Sequence, residues 1–536
     1  MKKRKIILII GMIMLACWLW PQSAFANNLT VSNVSLYKVP GQPAGTIAVK
    51  FDLTWDNSFT SMDSNGNAFF DRAWVFIKYW NNAWEADSAW AHGSLISGGS
   101  VGDYNSATGV GIAANSDSGK KVGAFCKPGK NQTIFWNYGG AGGDGILDTA
   151  EVLVKVMAVE MVYVPQGAFY LGSGAIGAWM EIGNFTDGSW IKGPTIPFKV
   201  ASENTITINT GVGNLWGTAA SDSSGVGPSG TLPATFPKGY QGFYMMKYEI
   251  SVGQYRDFLN TLTRAQQNAY TYTNIAAGVT DVTNHQYVMG DYSHPSKRNS
   301  IRCDTTIPAS GPITFYCDYN ENGVPDEAND GEWAPCTYLS WAESCAFADW
   351  AGLRPMTELE YEKVCRGPLY PVANEFAWGT TSIKNSYYEK TNLNTASEGI
   401  NDAFFSTTAG NCMYSVTIGG FDNAMRCGVF AANVNNTGRV TAGAGYYGNM
   451  ELSGNLTERV VTLGRAEGRV FNGLHGDGDL AATPVNWPVA GLGAGLRGGS
   501  WYNTAPDLTV SNRSNGNTTA SSRSGYYSIR FVRTAP

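Results

Sequence analysis

Three stretches of this chain carry the signature of a helix start, and all three lie between residues 251 and 367. Ser251 is followed three positions later by Gln254, Ser340 by Glu343 and Thr357 by Glu360. Each pair can satisfy two orphan backbone amides reciprocally as a capping box. The first predicted helix stacks Tyr255, Phe258, Leu259 and Leu262 on one face. The second stacks Trp341, Cys345 and Ala348, and the third Tyr361, Val364 and Cys365 before a stop at Gly367. No helical pattern follows residue 370. A chain so poor in helix starts cannot build a bundle, and its 64 glycines and 15 % charged residues point to short strands and long loops. Its 43 % hydrophobic and 12 % aromatic content excludes disorder, because it can fill a large core.

The chain opens on Lys2, Lys3, Arg4 and Lys5, an uncharged apolar run from Ile6 to Trp20, and Ala24-Phe25-Ala26. This is the pattern of a signal peptide, residues 1–26, and the run is too short for a spanning helix. Cys17 raises a lipoprotein alternative, although Leu15 stands where a small residue is usual. Removing residues 1–26 takes away four positive charges and moves the formal charge from −6 to −10. Such an acidic chain is a poor partner for nucleic acid or an anionic membrane, and no second run approaches spanning length. The expectation is an exported, secreted or cell-surface protein of bacterial type. Eight of the nine cysteines lie outside the signal, an even number that suggests disulfides in an oxidising compartment. Cys345 and Cys365 could equally be buried thiols.

Residues 27–155 read as a small all-β sandwich. Ile47, Val49, Phe51, Leu53 and Trp55 alternate along one strand, Ala73 to Trp80 forms a denser one, and Val152, Val154, Val156 and Ala158 a third. From about residue 156 the texture becomes α+β. Met161-Val162-Tyr163-Val164-Pro165, Phe243 to Ser251, Leu339-Ser340-Trp341 and Leu353 to Glu362 stand in order. Ala377-Trp378-Gly379, Ser453 to Arg459, Leu496 to Trp501 and Arg530 to Arg533 follow. This series resembles the formylglycine-generating-enzyme-like, or sulfatase-modifying-factor, family. The matches cover 161–536, within a domain expected over 156–536, and the resemblance implies a C-type-lectin-like fold.

The family's founding activity oxidises a sulfatase cysteine to formylglycine through two copper-binding cysteines after the Gly-Gly-Ser element. Here those positions fall at Asn503 and Leu508, and no cysteine follows Cys427. An amide and an aliphatic side chain cannot replace two thiolates, so no copper is expected. A three-histidine iron site, used elsewhere in the family, has no helical domain to carry it among His92, His285, His294 and His475. Gly98 to Gly102 and Gly491 to Gly495 imitate a nucleophile elbow and a phosphate loop without the helix either motif needs. The resemblance implies a structural Ca²⁺ at Asn455, the Leu456 carbonyl and Glu458. Asp318, Asn320, Asn322 and Asp326 also follow a calcium-loop spacing, although the twelfth position is Asn329. Cys317 and Cys336 could staple that loop instead.

Residues 502–529 contain no Lys, Glu, Gln, Trp or Met and are dominated by Asn, Ser, Thr, Ala, Gly, Tyr and Asp. This bias resembles the variable region of proteins diversified by retroelements. Tyr gives broad contact at low entropy cost, and Ser, Gly and Asn give adaptable hydrogen bonds. Tyr502, Asn503, Thr504, Asp507, Ser524, Tyr526 and Tyr527 are the candidate contacts, with Arg497, Trp501, Arg513 and Arg530 as scaffold. The expected role is non-catalytic binding of an extracellular protein or glycan. A sulfatase-modifying oxidase and a structural component of a cell-surface assembly are the alternatives.

Overall fold

The computed structural model describes residues 28–114, 121–173, 181–188, 196–217, 229–415, 423–480, 486–489, 491–519 and 521–536. The expected signal, 1–26, lies outside them. Strands outnumber helices, as an α+β chain of this composition requires.

The longest strand, Ala68–Asn81, is buried along nearly its whole length. It pairs antiparallel with Val152–Val164, from Val152 opposite Asn81 to Val162 opposite Asp71. The far end of Val152–Val164 pairs with Phe243–Met246, which in turn pairs with the closing strand Phe531–Thr534. One nine-stranded sheet therefore runs from the N-terminal region into the C-terminal one, and the boundary expected at 155/156 falls inside a single strand. Alternation explains how one sheet serves two cores. Ala73, Val75, Ile77 and Tyr79 face a four-stranded sheet that includes Thr30–Tyr37, Thr46–Thr54 and Gly129–Asn137. Phe70, Trp74 and Phe76, on the opposite face, join the core formed with the helices.

All three sequence-predicted helices form, as Val252–Leu259, Trp341–Trp350 and Glu358–Arg366, each with both capping-box hydrogen bonds. A fourth box, Thr263 with Gln266, starts Arg264–Ala269. That helix escapes sequence reading because its six residues, RAQQNA, carry no apolar stripe. Among the described residues past 370, the α-helices are the single turns Arg439–Ala442 and Ala466–Arg469, beside the 3-10 turns Asp402–Phe404 and Ala505–Leu508.

The expected disulfides are not formed. All eight cysteines from Cys126 to Cys427 are free and buried, so Cys317 and Cys336 do not staple the loop between them. Each thiol sits within packed side chains, and burial raises the Cys126, Cys303 and Cys365 thiols to about 12. Such thiols stay protonated and unreactive.

Candidate ligand-binding surface

The C-terminal segment is anchored by charge buried in the core. Every residue of the helix Glu358–Arg366 is buried, including three glutamates, a lysine and an arginine. The Glu358 carboxylate accepts from Arg497 Nη1 at 3.1 Å and from Arg513 Nε at 2.7 Å and Nη2 at 3.1 Å. It also accepts from Thr462 Oγ1 at 3.0 Å and the Leu463 amide at 2.9 Å. Glu362 takes Arg497 and Arg366, and Arg366 also holds Glu375. Glu360 receives both terminal nitrogens of Arg354, at 3.0 and 2.6 Å. Lys363 is satisfied by the Pro165 and Gly239 carbonyls, and burial lowers its ammonium to about 7. Buried charges persist only when paired in this way.

From this frame the chain turns outward. Strand Thr457–Val461 pairs antiparallel with Ala494–Arg497 and parallel with Tyr527–Ser528. Gly498 and Gly499 then take positive φ of 86° and 65°. A Cβ there would meet the Leu452 carbonyl oxygen and the Leu508 side chain, each at 2.7 Å. Only glycine makes this approach, which seats Trp501 among Tyr388, Met413, Leu456 and Phe430.

The expected contacts fall into three groups. Tyr502, 57 % exposed, lies 5.1 Å from the half-buried Tyr526, and both rings pack on Trp501 at 5.8 and 5.1 Å. Asn503, Thr504 and Asp507 share one turn, in which Asn503 Oδ1 accepts from the Ser500 amide at 3.0 Å and its hydroxyl at 2.8 Å. The Thr504 and Asn503 side chains approach Asp507 at 3.4 Å. Tyr527 points the other way, its ring under the Arg459 guanidinium, so it does not join the Tyr502–Tyr526 pair. Ser524 accepts the Tyr338 amide through its carbonyl at 2.9 Å.

Residues from outside the segment complete the surface. Lys297 Nζ lies 4.8 Å from the Trp501 ring, Tyr338 bonds Ser296 at 2.8 Å, and exposed Tyr292 lies 6.1 Å from Tyr338. No local pattern could have found these three, because they come from loops some 160 to 210 residues away in sequence. The middle of the segment, by contrast, is core. Leu508, Val510, Ser511 and Arg513 are fully buried, and Arg366 donates to Ser511 Oγ. The four expected scaffold residues, Arg497, Trp501, Arg513 and Arg530, are all buried.

The same geometry tests the metals. Asn503 is held by Ser500, and Leu508 is buried with Phe376, Trp378, Cys412 and Tyr414, an apolar set that does not fit copper. At the expected calcium turn, Asn455 Oδ1 accepts the Met425 amide at 2.8 Å and its Nδ2 donates to Glu249 at 2.8 Å. Both Glu458 oxygens accept from Arg530, at 2.7 and 2.6 Å. A cation there would have to displace the Arg530 guanidinium, so this arrangement does not fit Ca²⁺. The guanidinium provides the positive charge instead.

Compared with known protein families, residues 150–535 match the sulfatase-modifying factor enzyme 1-like domain. The chain belongs to that family. Mouse (Mus musculus) formylglycine-generating enzyme is 26 % identical over 143 residues, which is 26 % of this chain and 34 % of the mouse protein. The chain thus matches about a third of that relative's length. Within this sulfatase-modifying-factor-like domain, Arg459 is buried and donates to the Ser522 carbonyl at 2.7 Å.

Glu249, Glu451 and Glu458 are all buried beside Arg530. Burial pushes the Glu451 carboxyl up to about 7 although Gly428 donates to it. An acid whose folded value exceeds its unfolded one binds more protons when folded. Stability therefore falls as pH rises from about 4.5 to about 7, and the loss persists above that window. Glu451→Gln keeps the bond to Gly428 and removes the titration. Its unfolding free energy should match the parent's at about pH 4 and exceed it at pH 8 by at most about 3 kcal/mol. An equal effect at both pH values would contradict the assignment.

Proposed function

We propose that this chain is an exported, non-catalytic member of its family that binds an extracellular protein or glycan through the surface around Tyr502 and Tyr526. The observation that carries this reading is the division of the C-terminal segment. Its aromatic and small polar residues 502–507 and 521–527 lie at or near the surface, while Arg497, Trp501, Arg513 and Arg530 hold it from below. On this reading the domain takes the C-type-lectin-like arrangement that its family resemblance implies, and the strands before it pack as a layer that shares its long sheet. Retroelement diversification of 502–529 fits this design, since exposed positions can change without disturbing the buried ion pairs.

Two assays test the proposal. With copper, oxygen and a sulfatase-type Cys-x-Pro-x-Arg peptide, the protein should form no aldehyde, and conversion of the cysteine would sink the binding-only reading. On an array of extracellular glycans and cell-surface proteins, the Tyr502→Ala/Tyr526→Ala variant should lose at least about tenfold in affinity for the parent's ligand, as expected of paired aromatic anchors. Undiminished binding would move the site elsewhere.

A further inference from the structure

The loop from Asp318 to Asp330 resolves differently from the spacing that first drew attention to it. Asp326, an exposed residue, is turned to Arg256 instead, its Oδ1 accepting from that guanidinium and from the Cys317 amide at 3.0 Å. The side-chain amides of Asn320 and Asn322 instead converge on one oxygen of Glu327, at 3.2 and 2.5 Å. Asp318 accepts the Asn322 and Gly323 amides at 3.1 and 3.0 Å, and Gly323 takes φ 78°. Arg302 balances part of its charge from 2.7 Å.

Asp330 adds an independent sign. It is fully buried, and its Oδ2 accepts the Glu327 amide at 2.6 Å, yet its Oδ1 has no hydrogen-bond partner. Its electrostatic neighbours are Asp318 and Glu327, and the Asn320 backbone amide faces it, so the carboxylate looks into the loop. Burial and those like charges hold its carboxyl up at about 6. A buried carboxylate oxygen left unsatisfied beside two other acids is costly unless a cation meets it. Among the described residues no three His, Cys, Asp or Glu side chains group as a metal site. A cation would therefore draw on amide and backbone oxygens as well. The loop offers that mixture once the amides of Asn320 and Asn322 turn over, an exchange of nearly indistinguishable atoms.

We infer that the 318–330 loop binds a single Ca²⁺ through Asp318, Asn320, Asn322 and Asp330, with Glu327 in reach. The set is all hard oxygen, as Ca²⁺ prefers, and the glycine at the sixth position allows the sharp turn. Asp330 takes the place that the spacing assigned to Asp326. The site also clasps the segment behind the aromatic surface. The Asp318 amide donates to the Ser300 carbonyl at 3.1 Å, and Ser300 Oγ donates to the Asp330 carbonyl at 2.7 Å.

The test uses the full chain, stripped with EDTA and titrated with Ca²⁺ in a calorimeter and with Tb³⁺ by luminescence. One equivalent of Ca²⁺ should bind and raise Tm by several degrees. Tb³⁺ emission should appear on exciting the nearby Tyr319 and should be displaced by Ca²⁺. Asp330→Asn should weaken binding by about tenfold or more through loss of one charged ligand. Asn322→Ala, at an exposed position, should weaken it as well while leaving the fold intact even if Asp330→Asn does not fold. Absence of binding, or wild-type affinity in a folded variant of either kind, overturns the inference.

Discussion

Replacing Glu358 by alanine is expected to cost about 3–5 kcal/mol of folding stability, enough to leave much of the protein unfolded at 37 °C. The carboxylate is completely buried and accepts from two arginines, a threonine hydroxyl and a backbone amide. Its removal takes the Glu358 ion pair from Arg513, which keeps among its partners the Gly183 carbonyl at 3.2 Å, Asn517 at 3.5 Å and the face of Phe185. The cost arises chiefly from losing the carboxylate that pairs with two buried arginines, Arg497 and Arg513. Adding Arg513→Met should therefore recover part of the loss, giving a clear coupling energy in a double-mutant cycle. An unfolding free energy for Glu358→Ala within about 1 kcal/mol of the parent's, or strictly additive variants, would show that the network is not what holds the C-terminal segment.

The second large effect separates frame from surface in two adjacent residues. Trp501→Ala should cost about 3–5 kcal/mol, because a large ring packed against Met413, Leu456 and Tyr526 leaves a cavity the fixed glycine turn cannot close. Tyr502→Ala removes a ring that is 57 % exposed and should change stability by about 0.5 kcal/mol or less. Comparable losses at the two positions would mean that Tyr502 is structural and that the surface is not free to vary.

How far the sequence foreshadows these features depends on how local the signal is. The helix starts at Ser251, Ser340 and Thr357 are readable because each capping box closes within four residues. The burial of Arg497, Trp501 and Arg530 is foreshadowed by their ordered family motifs, whereas Arg513 stands in none of them. The glutamates that meet those arginines come from Glu358, Glu362 and Glu458, far away in the chain, so charge in the Leu353-to-Glu362 stretch gives no hint that it is core. Cysteine parity misleads for a related reason. Export suggests pairing, but only packing shows that each thiol is enclosed. The pairing of Tyr502 with Tyr526, and of Trp501 with Lys297, needs the two-sided closure of strand Thr457–Val461, which no periodicity encodes.

In the proposed function, a buried ion-paired frame presents a surface whose residues can change. Deep sequencing of the gene's 3′ end across a cell population, together with the flanking DNA, tests it most directly. Substitutions should concentrate at exposed codons within 502–507 and 521–527, at positions where a nearby near-copy carries adenine, with codons 497, 501, 513 and 530 unchanged. An invariant 3′ end without such a copy, or changes falling equally on the buried arginines, would contradict it.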